Sequence, residues 1–379
     1  MVLCSHFPDC GGCRFADIPY LDQLPMKQGL FEEALPKPYH SLIQPVVPSE
    51  RHRFHRNKME FSVFAGNDGG IALGLKRQGR WDQCVPTPDC QLLDERWAEV
   101  SRWVAVELTS LGLPPYDQKT HVGMLRYVMV RRSEYQAAWM INFVVAADVH
   151  SALLPVAVQL RVRFPWISGV MMSIQSSLSD TAYTEDVRCL DGVGELIESI
   201  GSKRYRVSPY SFFQTNSSQA YHLYRIAVEL AEPLPSDRLL DLYCGAATIG
   251  IFFSDRVKSV LGVEENLSSI EDAHFNIALN QADGVTVRQG KVKNILKFDR
   301  PEAEIVVVDP PRSGLEPKAL RRSAETGASR IVYVSCNPKT LARDLPMYEA
   351  EGYSVTTICP VDMFPHSPHL EAVALLRKS

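Results

Sequence analysis

Cys336 ends a run of β-forming residues, RIVYVS, and is followed by Asn337-Pro338 and a helical pattern. A thiol there sits at the mouth of a buried strand and faces the positive end of the next helix, a field that favours thiolate over thiol. Carboxylates stand at comparable places: Asp241 in RLLDLY, Glu264 closing SVLGVE and Asp309 closing EIVVVD. Glu264 follows Gly245 by 19 residues, a spacing at which an acid meets a ribose diol. The loop between them reads GAATIG rather than G-x-G-x-x-G, so the pyrophosphate fingerprint is incomplete. An acid before that loop and a ribose acid after it suit a nucleoside cofactor without pyrophosphate, such as S-adenosylmethionine. A thiolate beside a methyl-donor site suggests covalent catalysis. Each of these residues alone is an ordinary cap, turn or core residue; at successive strand ends they imply one site.

A second set of thiols lies elsewhere. Cys4, Cys10 and Cys13 form C-x5-C-x2-C, and the chain holds nine cysteines, an odd number at uneven spacing. That pattern points to metal binding or catalysis rather than a disulfide framework. Zinc sites more often show two close pairs. Three thiols from one short loop with a fourth from afar, Cys90 or Cys84, suit an iron–sulfur cluster. Cys189, Cys244 and Cys359 are expected to be structural.

These residues need a scaffold. From about residue 238 short apolar runs alternate with helical patterns (GAATIGIFF, LSSIEDAHFNIALNQA, KALRRSAE, KTLARDLPMYEA), which predicts an α/β, Rossmann-like, mostly parallel sheet. Ligands on such sheets lie beyond the carboxyl ends of the strands. Earlier runs, KMEFSVF, MLRYVMVRR, AAWMINFVVA, ISGVMMSIQ and RVSPYSFFQ, predict a strand-rich α+β region. The length of 379 residues suits two or three domains, and 45% hydrophobic with 22% charged residues suits a soluble globular chain. No apolar run approaches the roughly 20 residues of a membrane span, and MVLCSHFPDCGGCRF is unlike a signal peptide. A cytoplasmic protein without membrane contact is expected. Net charge is -4, yet basic residues cluster in RHRFHRNK, KRQGR, RYVMVRR and KRYR, which predicts a local anion-binding surface.

The motifs SFFQTN (211–216), DLYCGAATIGI (241–251), GVE (262–264), DPPRSGL (309–315), SCNPKTLARDL (335–345) and DMFPHSPHLE (362–371), in this order, closely resemble the bacterial RNA uracil-C5-methyltransferase family. The resemblance spans the C-terminal half and extends to the N-terminal cysteines and to Arg56-Asn57-Lys58. It implies S-adenosylmethionine contacts at Gln214, Tyr243, Glu264 and Asp309, a nucleophile at Cys336, and a base at Glu371 that removes the C5 proton. Asp309 is expected to contact the uracil region too, and Phe212 or Phe213 to stack on a flipped base or pack in the core. The resemblance also implies a [4Fe-4S] centre on Cys4, Cys10, Cys13 and Cys90, favouring Cys90 over Cys84. Three regions follow: an iron–sulfur region over 1–90, a strand-rich RNA-binding domain over 50–205, and an S-adenosylmethionine-dependent methyltransferase domain over 206–379.

The cysteines favour the ribosomal over the tRNA branch of that family. The short stretch before the cluster motif sets the expectation of a chain without the extra N-terminal β-barrel of larger relatives. The expected substrate is therefore 23S rRNA, at the site of the smaller relatives, uracil 747. The expected protein acts as a monomer without an obligate protein partner. Alternatives are another 23S rRNA or tRNA uridine, or a non-catalytic RNA-binding iron–sulfur protein on this scaffold. A radical S-adenosylmethionine enzyme is disfavoured, because its three close cysteines typically read C-x3-C-x2-C.

Overall fold

The computed structural model describes residues 4–379. An N-terminal helix, α1 (Tyr20–Ala34), precedes a central unit of β1 (Lys58–Ala65), β2 (Ile71–Arg77), β3 (Arg80–Pro86), α2 (Trp97–Ser110), β4 (Leu125–Ser133), β5 (Ala138–Val145), α3 (His150–Arg163), β6 (Ile167–Ile174) and β7 (Val187–Gly192). These seven strands form one sheet in the order β3-β2-β1-β4-β5-β6-β7. It is antiparallel except for β5 and β6, which run parallel because α3 returns the chain between them. Trp97, Val100 and Val104 of α2 share a core with Leu153, Ala157 and Leu160 of α3 and with Phe61, Val128 and Ile141 of the sheet. The same chain stretches read as strands carry two helices between them.

A hairpin, β8 (Leu196–Ile200) and β9 (Lys203–Val207), leads into the second unit. The predicted strand RVSPYSFFQ is strand only as far as Val207; Pro209, with no N–H to donate, leaves the rest as an ordered loop. There follow α4 (Ser217–Ala231), β10 (Arg238–Leu242), α5 (Thr248–Phe253), β11 (Ser259–Glu264), α6 (Leu267–Leu279), β12 (Val285–Gln289), α7 (Val292–Phe298), β13 (Ile305–Val308), α8 (Pro317–Glu325), β14 (Arg330–Ser335), α9 (Pro338–Ala350), β15 (Tyr353–Val361) and β16 (Glu371–Lys378). The strand order is β12-β11-β10-β13-β14-β16-β15. The first five are parallel, and β16 runs antiparallel to both its neighbours. Helices cover both faces, so the central strands read as unbroken apolar runs; every residue of β13 and β14 is buried.

The N-terminal segment crosses to this second sheet. Phe31 of α1 is buried with Leu345 and Tyr348 of α9. Ile43 and Val47 make parallel bridges to Ile358 and Val361, which covers the exposed edge of β15. Among the described residues, no helix is long and apolar enough to cross a membrane.

Candidate active site

The reversal of β16 brings the two ends of the proposed chemistry together. Ser335 at the end of β14 pairs with Ala372, so Cys336, one residue on, stands beside Glu371 at the start of β16. Asp309 leaves the carboxyl end of the neighbouring β13, and Glu264 that of β11. Gln214, Tyr243, Glu264, Asp309, Cys336 and Glu371 all line one cavity of about 1210 Å³. A small recess of about 20 Å³, between Gln214, Asp241, Tyr243 and Asp309, adjoins it.

The turn after β10 shapes the cofactor side. Tyr243, Gly245 and Ala247 all take positive φ (63°, 52° and 58°), a tight left-handed path that strains the two residues bearing a side chain. Gly250 brings α5 against the strand: a Cβ there would meet Asp241 Oδ2 at 3.0 Å, and its N–H donates to that oxygen at 2.9 Å. Asp241 Oδ1 is buried with no partner, beside the recess. Glu264 accepts from Gly245 N at 3.1 Å and from Asn266 N at 2.8 Å, which ties the first turn to the second. Gln214 is buried, and Asn57 Nδ2 donates to its carbonyl at 2.8 Å, a strut from the central unit. Phe213 is buried beside Tyr205, whereas Phe212 is 68% exposed at the cavity wall.

Electrostatics follow from enclosure. Burial, then the neighbouring Asp309, pushes Glu371 up to about 8. Asp309, partly buried in the cavity wall, is raised by burial to about 7. Burial also raises Asp241, to about 8. The expected thiolate-favouring field at Cys336 is outweighed. Burial first, then Glu371 and Asp309, raise its thiol to about 11, and Arg312 is the opposing cation. Asn337 caps α9 and donates to Arg312 O at 2.9 Å, so the turn after Cys336 is fastened to the turn after Asp309.

The loop before Glu371 is held from far away in sequence. Lys27 of α1 donates to Asp362 at 2.6 Å, both side chains fully buried, and to Phe364 O at 3.0 Å. His366 accepts at its carbonyl from Arg14 N and Phe15 N, and its ring meets Gln23 and His52 O. Lys27, Asp362 and His366 carry no motif-independent signal in the sequence, since their partners lie over 300 positions away.

Cys4, Cys10, Cys13 and Cys90 ring a separate small apolar cavity, and Cys84 is not part of its wall. Burial raises Cys13 to about 12, and Cys90, Cys10 and Cys4 each add to that rise. Among the described residues, no group of three or more His, Cys, Asp or Glu side chains is arranged to hold a metal ion. One of the four basic clusters, RYVMVRR, differs from expectation, whereas Arg51, Arg53, Arg80 and Arg204 of the other three are exposed. Arg126, Arg131 and Arg132 are buried and spent on carbonyls and acids, as at Arg131 Nε to Pro209 O (3.0 Å). That cluster braces the fold rather than meeting solvent anions.

A sheet of this order with a cofactor rim defines a Rossmann-like class I methyltransferase. The family profile described as tRNA (Uracil-5-)-methyltransferase matches residues 193–379. An uncharacterized RNA methyltransferase of Caldanaerobacter subterraneus subsp. tengcongensis is 35% identical over 99% of this chain and 84% of its own length. Another from Gloeobacter violaceus is 32% identical over 99% and 82%. The tRNA (uracil-54, C5)-methyltransferase of Pyrococcus abyssi, solved with S-adenosyl-L-homocysteine, superposes with a TM-score of 0.78 at 29% identity over 97% of this chain and 86% of that one. The chain belongs to the RNA uracil-C5-methyltransferase family.

Proposed function

We propose that the protein transfers a methyl group from S-adenosylmethionine to C5 of a uridine in 23S rRNA, the uracil 747 type of site, through a Cys336 adduct. The observation that carries the reaction is that Cys336 and Glu371, next to the Ser335–Ala372 pair, line one cavity with Asp309. Uracil C5 is a poor nucleophile. Addition of the Cys336 thiolate to C6 moves the ring electrons toward O4 and makes C5 enolate-like. When bound, the sulfonium supplies an electrophilic methyl, which C5 takes while the sulfur keeps the bonding pair. Glu371 then removes the C5 proton, the electrons re-form C5=C6, and the C6–S bond breaks. Arg312 opposes the acids around the thiol, and Phe212 is positioned to stack on the entering base.

With S-adenosylmethionine bound, Glu264 would take the ribose, Tyr243 would pack against the nucleoside and Gln214 would line the methionine end. The orphaned Asp241 Oδ1 fits the cofactor's ammonium. Cys4, Cys10, Cys13 and Cys90 line one small apolar space and would be the residues to hold a [4Fe-4S] cluster, although as placed they are not drawn together around a single ion. No step above needs an electron, so a cluster there would be structural or RNA-positioning. Iron and sulfide analysis of anaerobically purified protein, beside Cys13→Ser, tests that assignment. A tRNA substrate is the second reading, favoured by the family description and by the Pyrococcus enzyme.

The deciding experiment adds protein and S-adenosylmethionine to unmodified rRNA and tRNA and maps 5-methyluridine by mass spectrometry. One modified 23S uridine is the expected result. Modification confined to tRNA keeps the chemistry and replaces the substrate. No modification of either, with cofactor bound, favours a non-catalytic RNA-binding role.

A further inference from the structure

The connection between β6 and β7 is not slack. Arg126 on β4, 2% exposed, donates to the carbonyls of Gln175, Ser177 and Ser179. Tyr127 donates to Asp180, the Gln175 amide donates to Tyr183 O, and Tyr210 Oη donates to Ala182 O at 2.6 Å. A buried guanidinium holding three carbonyls fixes the loop's path before any ligand arrives, so binding need not order it.

That fixed loop carries Tyr183 to the wall of the reaction cavity, where the residue is 49% exposed. The Tyr210 ring stands against it at 5.4 Å and 71°, and Asn142 also holds the Tyr210 hydroxyl, at 3.2 Å. Tyr183 is thus braced on one side and open on the other. A surface tyrosine alone is commonplace. A braced one, on a clamped loop, at the mouth of a cavity that must admit a nucleobase, has a use. Cys336 lines that cavity, and a base drawn out of its stack to meet it leaves a neighbouring base with a bare face.

We propose that Tyr183 stacks on the nucleobase adjacent to the uridine in the cavity, so that the β6–β7 loop selects unpaired RNA. This rests on reading the cavity as a uridine-methylation site. The test uses the full chain with S-adenosylhomocysteine and a uridine dodecamer carrying one central 2-aminopurine, whose fluorescence falls on stacking. The wild type and Tyr183→Trp are expected to quench it. Tyr183→Ala should lose the quench and bind the oligomer about 5- to 150-fold more weakly, the range for removing one stacked aromatic. S-adenosylhomocysteine affinity should be equal in all three. Pairing the oligomer with a complementary strand should weaken wild-type binding to the alanine level. Equal quench and affinity in wild type and Tyr183→Ala, or preference for the duplex, overturns the proposal. Methyl transfer is scored separately. Transfer unchanged in Tyr183→Ala removes the platform and leaves the reaction; Tyr183-dependent binding without transfer to any RNA leaves the platform and removes the reaction.

Discussion

At the residue scale the two ends of the proposed reaction separate cleanly. Cys336→Ala removes the proposed nucleophile from a partly buried turn without touching the cofactor rim. Methylation should vanish while S-adenosylmethionine affinity, by calorimetry, stays within about twofold. Glu371→Gln removes only the last proton transfer. Turnover should fall on the order of 100- to 10,000-fold, with an RNA–protein adduct, already methylated, persisting on a denaturing gel. Residual full activity in Cys336→Ala would sink covalent catalysis through this residue. The acids give a further prediction. Asp309 at about 7 and Glu371 at about 8 bind more protons folded than unfolded. Their stability contribution is complete below the ordinary carboxylate range and is lost as pH rises through about 7 to 8. A sulfonium lowers both values and expels protons. S-adenosylmethionine should therefore bind more tightly from pH 6 to pH 8, by less than about tenfold per unit for each proton released. S-adenosylhomocysteine, neutral at sulfur, should show a flatter profile. The strand-end acids were legible because each closes an apolar run. The thiol's raised pKa was not, because it comes first from burial and then from Glu371 and Asp309, which reach it from other strands.

At the element scale, alternation was enough to read β10 to β16 and the helices α5, α6, α8 and α9. It missed α1, α2, α3, α4 and α7. Pro25 sits inside α1 and Pro155 inside α3, and each interrupts the helical pattern in sequence while lying in an early turn in space. The docking of α1 was out of reach for another reason: Lys27 and Asp362 are 335 residues apart and only their burial identifies them as a pair. Lys27→Met leaves Asp362 as an uncompensated buried charge. That change should cost about 3–5 kcal/mol in urea unfolding. Adding Asp362→Asn should restore part of the loss, since no bare charge then remains. A loss below about 1 kcal/mol would mean that the pair does not hold the loop leading to Glu371.

At the scale of the whole molecule, the cysteine segment, the central sheet and the catalytic sheet meet around His366. Its carbonyl takes the N–H groups of Arg14 and Phe15, directly after the cysteine loop, at 2.8 and 3.1 Å. Its ring reaches Gln23 on α1 at 3.0 Å and His52 O at 2.6 Å. It stands five residues before Glu371 and takes a left-handed φ of 65°, a conformation kept only where the surroundings enforce it. Asn57 makes a parallel tie, bonding Gln214 O and Ser217 from the central unit. These links imply that the cysteine segment and the base loop open as one unit rather than independently. His366→Ala removes two side-chain bonds worth about 1 kcal/mol each. Amide exchange should then accelerate on the order of 30-fold, in residues 14–15 and in 362–370 together, while the β10–β11 amides at the cofactor rim stay protected. Methylation should lose kcat more than cofactor affinity, since Glu371 is displaced and Glu264 is not. Acceleration confined to one of the two segments would show that they open separately, and the cysteine segment would then have no mechanical route to the base.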